Sequence, residues 1–182
     1  MLTDEDDILL WNKFKDGNKE AFNNLFRRYH KLLMQYGSRF CNDEYLLEDC
    51  IQDLFIELWQ SKNTTPIQSV KAYLLRSLKY EIFNQLKKQH SIKATNVLED
   101  EMDFELSHDH FVARQEDERE KNKKVIDAIN KLPNRQKEIV YLKIYQGFSY
   151  EEISEIMGIN YQVARNLFHQ SVKSLRLLFF SN

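Results

Sequence analysis

Apolar residues recur at helical spacing from the start of the chain. Asp4–Lys15 reads as a short helix stopped at Gly17. Asn18 can cap a longer helix running to about Phe40, with Phe22, Leu25, Phe26, Tyr29, Leu32 and Leu33 on its apolar side. A third helix is expected over Asp43–Ser61 and a fourth over about Val70–Gln89. The turn-rich stretch Lys62–Ser69, which contains Pro66, separates them. Residues 94–117 are acidic, weakly periodic and poor in large aliphatics, which fits a linker at least partly disordered when free. Helical spacing then resumes. One helix ends near Leu132–Pro133, and the next covers Arg135–Gln146 and breaks at Gly147. Ser149 and Glu152 have the spacing of a capping box, Gly158 marks a tight turn, and Tyr161–Phe180 forms the last helix. The pattern predicts an all-α chain of two small helical domains, 1–93 and 118–182, joined by an acidic linker, 94–117.

Composition agrees with helices. The chain of 182 residues has 42% hydrophobic positions, enough for packed cores, and only 4 Gly and 2 Pro, too few for a sandwich or barrel rich in turns. Cys41 and Cys50 lack metal-ligand spacing and read as reduced core thiols. No apolar stretch is long enough to cross a bilayer and no signal peptide is recognisable, so a soluble cytoplasmic protein without direct membrane insertion is expected. The net charge of −2 hides a block structure. Asp43–Ser61 holds six acids and no Lys or Arg, whereas Val70–Lys93 holds six Lys/Arg and one acid. Ala94–Glu120 holds ten acids against two Arg, and Tyr161–Asn182 three Lys/Arg and no acid. Such blocks suit different partners for different stretches.

Ser149–Phe168 (SYEEISEIMGINYQVARNLF) has the layout of a helix-turn-helix. That motif needs a small residue facing its second helix, a glycine at the turn and apolar residues fixing a steep crossing. Ser154, Gly158 and the set Ile153, Met157, Ile159, Ala164 and Leu167 meet those needs. An ordinary helical hairpin is the alternative. On the last helix, Val163, Ala164, Leu167, Ser174 and Leu178 project to one side, and Tyr161, Gln162, Arg165, His169, Lys173 and Arg176 to the other. The outer face offers donors and cations without a carboxylate, which suits phosphate contacts and readout of base edges in the major groove.

The third helix has a core stripe of Leu47, Ile51, Leu54, Phe55 and Leu58, with Trp59 at its margin. Opposite lie Asp49, Gln52, Asp53 and Ile56. An acidic stripe with an isoleucine in it suits docking on a basic protein surface; a solvated helix with one stray apolar residue explains it equally well. On the fourth helix Leu74, Leu75, Leu78, Ile82 and Leu86 face inward, and Tyr73, Arg76, Tyr80, Phe83, Asn84 and Lys87 face away. Aromatics interleaved with cations suit unstacked bases, which need faces to stack on and charge for the backbone. Packing against another helix is the alternative, strongest for Phe83 taken alone. The chain carries no Gly-rich phosphate loop, HExxH, CxxC pair or nucleophile elbow. His108 and His110 bracket an Asp in the acidic stretch, where nothing rigid presents them to a metal. No enzyme activity, cofactor or metal is expected.

Glu48-Asp49-x-x-Gln52-Asp53-x-Phe55-x-x-x-Trp59 resembles the polymerase-docking helix of bacterial sigma factors. Leu132-Pro133-x-Arg135-Gln136, SYEEISEIMGIN and Val172-Lys173-x-Leu175-Arg176 resemble sigma region 4. The resemblance spans nearly the whole chain, with region 2 over about 10–90 and region 4 over about 118–180, the layout of the extracytoplasmic-function (ECF) subgroup. It implies a factor that binds core RNA polymerase and directs promoter recognition, melting and initiation. Asp49, Gln52, Asp53 and Ile56 would dock on the β′ clamp helices, and region 4 on the β flap. Asn63, Thr64 and Thr65 would capture a flipped base, and Arg76, Lys79, Tyr80, Phe83, Asn84 and Lys87 would read the melted minus-ten element. Tyr161, Gln162, Arg165, Asn166, His169, Lys173 and Arg176 would read the duplex minus-thirty-five element. Two residues depart from the family's usual choices, Tyr80 for an asparagine and Ala164 for a valine. The Asn-, Lys- and Tyr-rich composition is similar to that of ECF factors of Bacteroidetes, which implies an anti-sigma partner, in that group often membrane-bound. A regulator that works without polymerase would leave the acidic stripe unexplained. A helical adaptor without DNA affinity would leave the two carboxylate-poor faces unexplained.

Overall fold

A computed structural model describes residues 4–61, 66–89, 102–107 and 116–180. The described elements are helices α1 (Asp4–Lys15), α2 (Lys19–Gly37), α3 (Glu44–Gln60), α4 (Val70–Gln89), α5 (Glu116–Asn130), α6 (Asn134–Val140), α7 (Tyr150–Ile156) and α8 (Tyr161–Phe180), with a π turn at Tyr141–Tyr145 running on from α6. The chain divides into two compact units, Met1–Asn96 and Val97–Asn182.

In the first unit α2, α3 and α4 pack on one another and α1 lies against α2 and α4. Local chemistry sets the boundaries. Gly17 takes φ +87° between α1 and α2, a conformation that a Cβ would strain. The Asn18 side chain accepts from Ala21 N at 2.9 Å, the Asp43 carboxylate from Leu46 N at 3.1 Å, and the Ser69 hydroxyl from Ala72 N at 3.2 Å. Each satisfies an orphan donor of a first helical turn. Leu33, Tyr36, Ile51, Leu74, Leu75, Leu78 and Ile82 are fully buried, so the apolar stripes of three helices meet. Gly37 marks a close approach, since a Cβ there would lie 2.3 Å from Leu47 Cδ1 and 3.2 Å from Ile82 Cδ1. An aromatic cluster seals one side, with Phe26 and Phe55 edge to face at 5.0 Å and Phe22 and Trp59 at 5.2 Å. Polar ties add direction. Arg28 and Tyr29 of α2 both bond Asp7 of α1, and His30 Nε2 lies 2.9 Å from Glu48 Oε2 of α3.

In the second unit α8 packs across α6 and α7. The helix expected over Arg135–Gln146 is α6 followed by the π turn, in which Gln146 N reaches back to Tyr141 O at 3.1 Å. Gly147, at φ +71°, reverses the chain and Phe148 is fully buried. The capping box forms in both directions: Glu152 N donates to Ser149 Oγ at 3.1 Å and Ser149 N to Glu152 Oε2 at 2.9 Å. Gly158, at φ +63°, makes the turn, and Asn160 caps α8 by accepting from Val163 N at 2.8 Å. The inner face of α8 differs in part from the expected one. Ala164 and Ser171 are fully buried and Leu167 half-buried, but Val163 is 42% exposed. Val163 lies in the first turn, one position off the arc that Ala164 and Ser171 define. Ser154 is half-buried and its hydroxyl donates to Glu151 O, while Ile153 and Ile156 fill the space between the motif's helices.

The acidic stretch 94–117 holds more order than expected. Met102–Ser107 is extended and attached to the second unit, with Phe104 and Leu106 buried, and α5 begins at Glu116. Two apolar side chains at alternate positions suffice to hold so short a segment.

Candidate nucleic-acid and polymerase interfaces

Helix α3 buries Leu47, Cys50, Ile51, Leu54, Phe55 and Leu58 and turns Asp49, Gln52, Asp53 and Ile56 outward. Ile56 is 51% exposed. Two features beside this stripe escaped the sequence pattern. Tyr45, one helical turn before Asp49, is 88% exposed and prolongs the stripe. At the other end a mostly apolar hollow of about 290 Å³ is lined by Lys19, Phe22 and Asn23 of α2 with Ile56 and Trp59. The spacing of Tyr45 was readable, whereas the hollow needs two helices brought together.

On α4 the inward set Leu74, Leu75, Leu78 and Ile82 is fully buried and Leu86 half-buried. Arg76, Tyr80 and Lys87 are exposed and Phe83 and Asn84 half-buried. Tyr80 is 57% exposed, and Lys87 Nζ sits 5.9 Å from the Phe83 ring centre. Two residues move off this face. Tyr73 packs edge to face on Trp11 at 5.4 Å. Lys79, expected among the DNA contacts, is 2% exposed, with its ammonium 5.6 Å from the Phe40 ring centre. Its position one residue after Leu78 swings it into the α2 side of the bundle, so it offers no charge to a strand on the outer face. Asn63, Thr64 and Thr65 lie outside the described residues, as do His108 and His110.

On α8, Tyr161, Gln162, Arg165, Asn166, His169, Lys173 and Arg176 are all exposed. Most of them line a groove of about 480 Å³ with Gln170 and with Tyr150 of α7. Arg165 lies 5.8 Å from the Tyr161 ring centre, and Gln162 Nε2 donates to Asn166 Oδ1 at 3.0 Å, so the face carries contacts among its own side chains. Tyr150 was missed because it precedes the recognition helix. Lys143 lies 4.5 Å from its ring centre while donating to Phe148 O at 2.9 Å, which places the ring at the groove wall. Among the described residues no group of His, Cys, Asp or Glu is placed to hold a metal, and no helix is long and apolar enough to cross a membrane.

The capped helix-turn-helix with a carboxylate-free outer face marks a DNA-binding protein, and a separate helical unit adds an aromatic-basic helix and an acidic stripe. Comparison with known proteins gives the class a family. Sigma-70 region 2 matches residues 25–92 and Sigma-70, region 4 matches residues 122–175. The chain is 25% identical over 167 residues to the RNA polymerase sigma factor CarQ of Myxococcus xanthus, covering 91% of this chain and 93% of CarQ. It is 24% identical over 165 residues to the ECF RNA polymerase sigma factor SigX of Bacillus subtilis (strain 168), covering 87% and 83%. Among solved structures, CnrH in complex with the cytosolic domain of CnrY shares the fold with a TM-score of 0.63 at 19% identity, covering 96% of this chain and 97% of that one. The sigma factor RpoE in complex with the anti-sigma factor NepR from Bartonella quintana does so with a TM-score of 0.58 at 20% identity, covering 88% and 97%. The chain belongs to the RNA polymerase sigma factor family, in its ECF subgroup. It binds core RNA polymerase and directs promoter-specific initiation of transcription.

Proposed function

We propose how the residues divide that work. Asp49, Gln52, Asp53 and Ile56 dock on the β′ clamp helices, and region 4 on the β flap. Arg76, Tyr80, Phe83, Asn84 and Lys87 hold the melted minus-ten strand, with Asn63, Thr64 and Thr65 capturing a flipped base. Tyr161, Gln162, Arg165, Asn166, His169, Lys173 and Arg176 read the minus-thirty-five duplex. Residues 1–93 and 118–182 are the two functional domains. The chain acts in the cytoplasm, where polymerase is, and catalyses nothing itself. An anti-sigma factor, membrane-bound or not, holds it inactive by covering these faces. Solved relatives in complexes with CnrY and NepR support that last assignment.

The observation that carries this division is the separation of charge by face. The outward residues of α8 include three cations and no carboxylate, while those of the α3 stripe include two carboxylates and no cation. A polyanion suits the first and a basic protein surface the second. Neither DNA face alone needs to be tight, because one polymerase holds both and makes the attachment bivalent. Run-off transcription with core polymerase, with and without this chain, over a genomic promoter library is the direct test. Promoter-dependent transcripts that require the chain are expected; their absence would refute the division. Asp49→Arg with Asp53→Arg should weaken core binding at least about tenfold, roughly 1.4 kcal/mol, with an unchanged circular dichroism spectrum. Wild-type affinity would remove the docking assignment.

A further inference from the structure

The segment Met102–Ser107 precedes the residues matched to region 4, 122–175, yet it packs into that unit. Phe104 and Leu106 are buried, at 1% and 3%, while Asp103, Glu105 and Ser107 are exposed. Two asparagines hold its backbone. The Asn130 amide accepts from Leu106 N at 3.0 Å and donates to Leu106 O at 3.0 Å. The Asn134 amide accepts from Phe104 N at 3.4 Å. Backbone pairing with pockets for alternate side chains is how folded domains hold extended peptides. A run of contacts leads on from this seat to the groove of α8. The Phe104 ring meets Tyr141 of the π turn edge to face at 5.7 Å. Tyr141 is buried, and its hydroxyl accepts from Gln146 Nε2 at 2.8 Å, which ties the start of the turn to the residue that follows it. Lys143, also of the turn, donates to Phe148 O at 2.9 Å and lies 4.5 Å from the Tyr150 ring centre. The Tyr150 ring lies 6.0 Å from that of Tyr161 and 6.1 Å from that of Phe168, both on α8, and Tyr150 lines the groove with Arg165 and His169.

We propose that Phe104 and Leu106 are positioning residues for duplex recognition: seated at the corner of α5 and α6, they hold the π turn in register and, through Lys143, the Tyr150 wall of the groove. The proposal rests on the assignment of the α8 face to duplex DNA. Every contact in it lies within the second unit. Both residues are buried, so neither offers DNA a contact of its own. A π turn is a rare register, used for single turns within α-helices and often found at functional sites. Packing decides whether it persists beside the α alternative. With Phe104 gone, Tyr141 would face a void that its surroundings close only in part. The turn would then be free to revert to α geometry, in which one residue is a rotation of about 100°. Such a rotation takes the Lys143 ammonium away from Phe148 O and leaves the Tyr150 ring without its cation. Leu106 and Asn130 act one step earlier, by anchoring the strand that carries Phe104. The cations of α8 keep their places throughout, so the loss falls on fit rather than on charge.

The test uses the full chain, free and as holoenzyme with core polymerase, and a double-stranded fragment of a promoter that wild type transcribes. Phe104→Ala with Leu106→Ala should raise the Kd of the holoenzyme for the fragment about tenfold, within the range of coupling through packed side chains. Measurement well below the variant's melting midpoint keeps unfolding out of the comparison, so a role in stability alone would leave the Kd unmoved. The slope of log affinity against log salt should stay as in wild type, because no phosphate contact is lost. Phe104→Leu, which refills the seat, should bind within about twofold of wild type. Asn130→Ala keeps the apolar core intact, stands in if the double variant does not fold, and should raise the Kd about threefold. In NMR spectra of the free chain the Tyr150 ring resonances should move in the double variant and in Asn130→Ala, and hold their wild-type positions in Phe104→Leu. Wild-type affinity in the seat-emptying variants, or unmoved Tyr150 resonances, would overturn the positioning role. Arg165→Ala checks the assignment beneath it. Unchanged affinity there would remove duplex reading by α8, and the Tyr150 resonances would still decide whether the seat holds the groove wall.

Discussion

Lys79 and Arg76 stand one helical turn apart on α4 and have different surroundings. Arg76 is exposed, whereas Lys79 lies under the Phe40 ring at 2% exposure. Arg76→Ala or Lys87→Ala should lower the slope of log affinity for single-stranded minus-ten DNA against log salt by about 0.7 to 1. Lys79→Ala should leave that slope unchanged and cost about 1–3 kcal/mol of stability, because its aliphatic stem packs in the bundle. Titration of salt dependence and chemical denaturation separate the two. Gly37→Ala should likewise cost about 1–3 kcal/mol by denaturant midpoint, since its Cβ would press on Leu47 within a closed core. Cys50 supplies a dependence on pH. Burial, reinforced by the charge of Glu81, pushes its thiol from 9.0 up to about 12. The unfolded thiol therefore ionises before the folded one. The group's stabilising contribution is full below pH 9 and is lost as pH rises toward 12. Cys50→Ala should flatten the fall in stability over that interval; an unchanged pH profile would contradict the assignment.

Helix boundaries were legible where a side chain enforces them. Asn18 and Ser149 were each followed at the right distance by the amide they cap, whereas Asp43, which also caps, was read only as the first residue of its helix. α1 and α4 begin and end where periodicity and turn residues put them, at Asp4–Lys15 and Val70–Gln89. Elements defined by long-range packing were not legible. The π turn at Tyr141–Tyr145 is accompanied by the burial of Phe148 and by Lys143 reaching Phe148 O, and a helical repeat carries no mark of either. The docked Met102–Ser107 was lost among carboxylates because only two of its residues are apolar, too few to register as a period. At this scale the capping box is the clearest target. Ser149→Ala should destabilise the second unit by about 0.5–2 kcal/mol and lower duplex binding in proportion to the unfolded fraction. Thermal melting of the variant, set beside Ser149→Thr, which keeps the hydroxyl, measures it.

For the whole molecule, a net charge of −2 concealed what its distribution showed. The acidic α3 stripe and the carboxylate-free α8 face were readable as blocks because each occupies one helix. Sites that draw on several elements, such as the hollow of Phe22, Ile56 and Trp59, were not, because sequence spacing does not say which helices meet. Tyr73 and Lys79 were misplaced for the same cause: they sit at the margins of α4, where the neighbouring elements decide burial. On α8 the division is sharper. The helix rests on Ala164 and Ser171, fully buried small residues two turns apart, and Ser171 spends its hydroxyl on Leu167 O. Small side chains hold the helix close while leaving its outward positions uncommitted to packing. Those positions can therefore mutate almost freely with respect to folding, so duplicated copies of such a gene could diverge to new regulons by drift on one helix face. An engineer could follow the same path, grafting outward residues to obtain mutually insulated transcription switches on one scaffold.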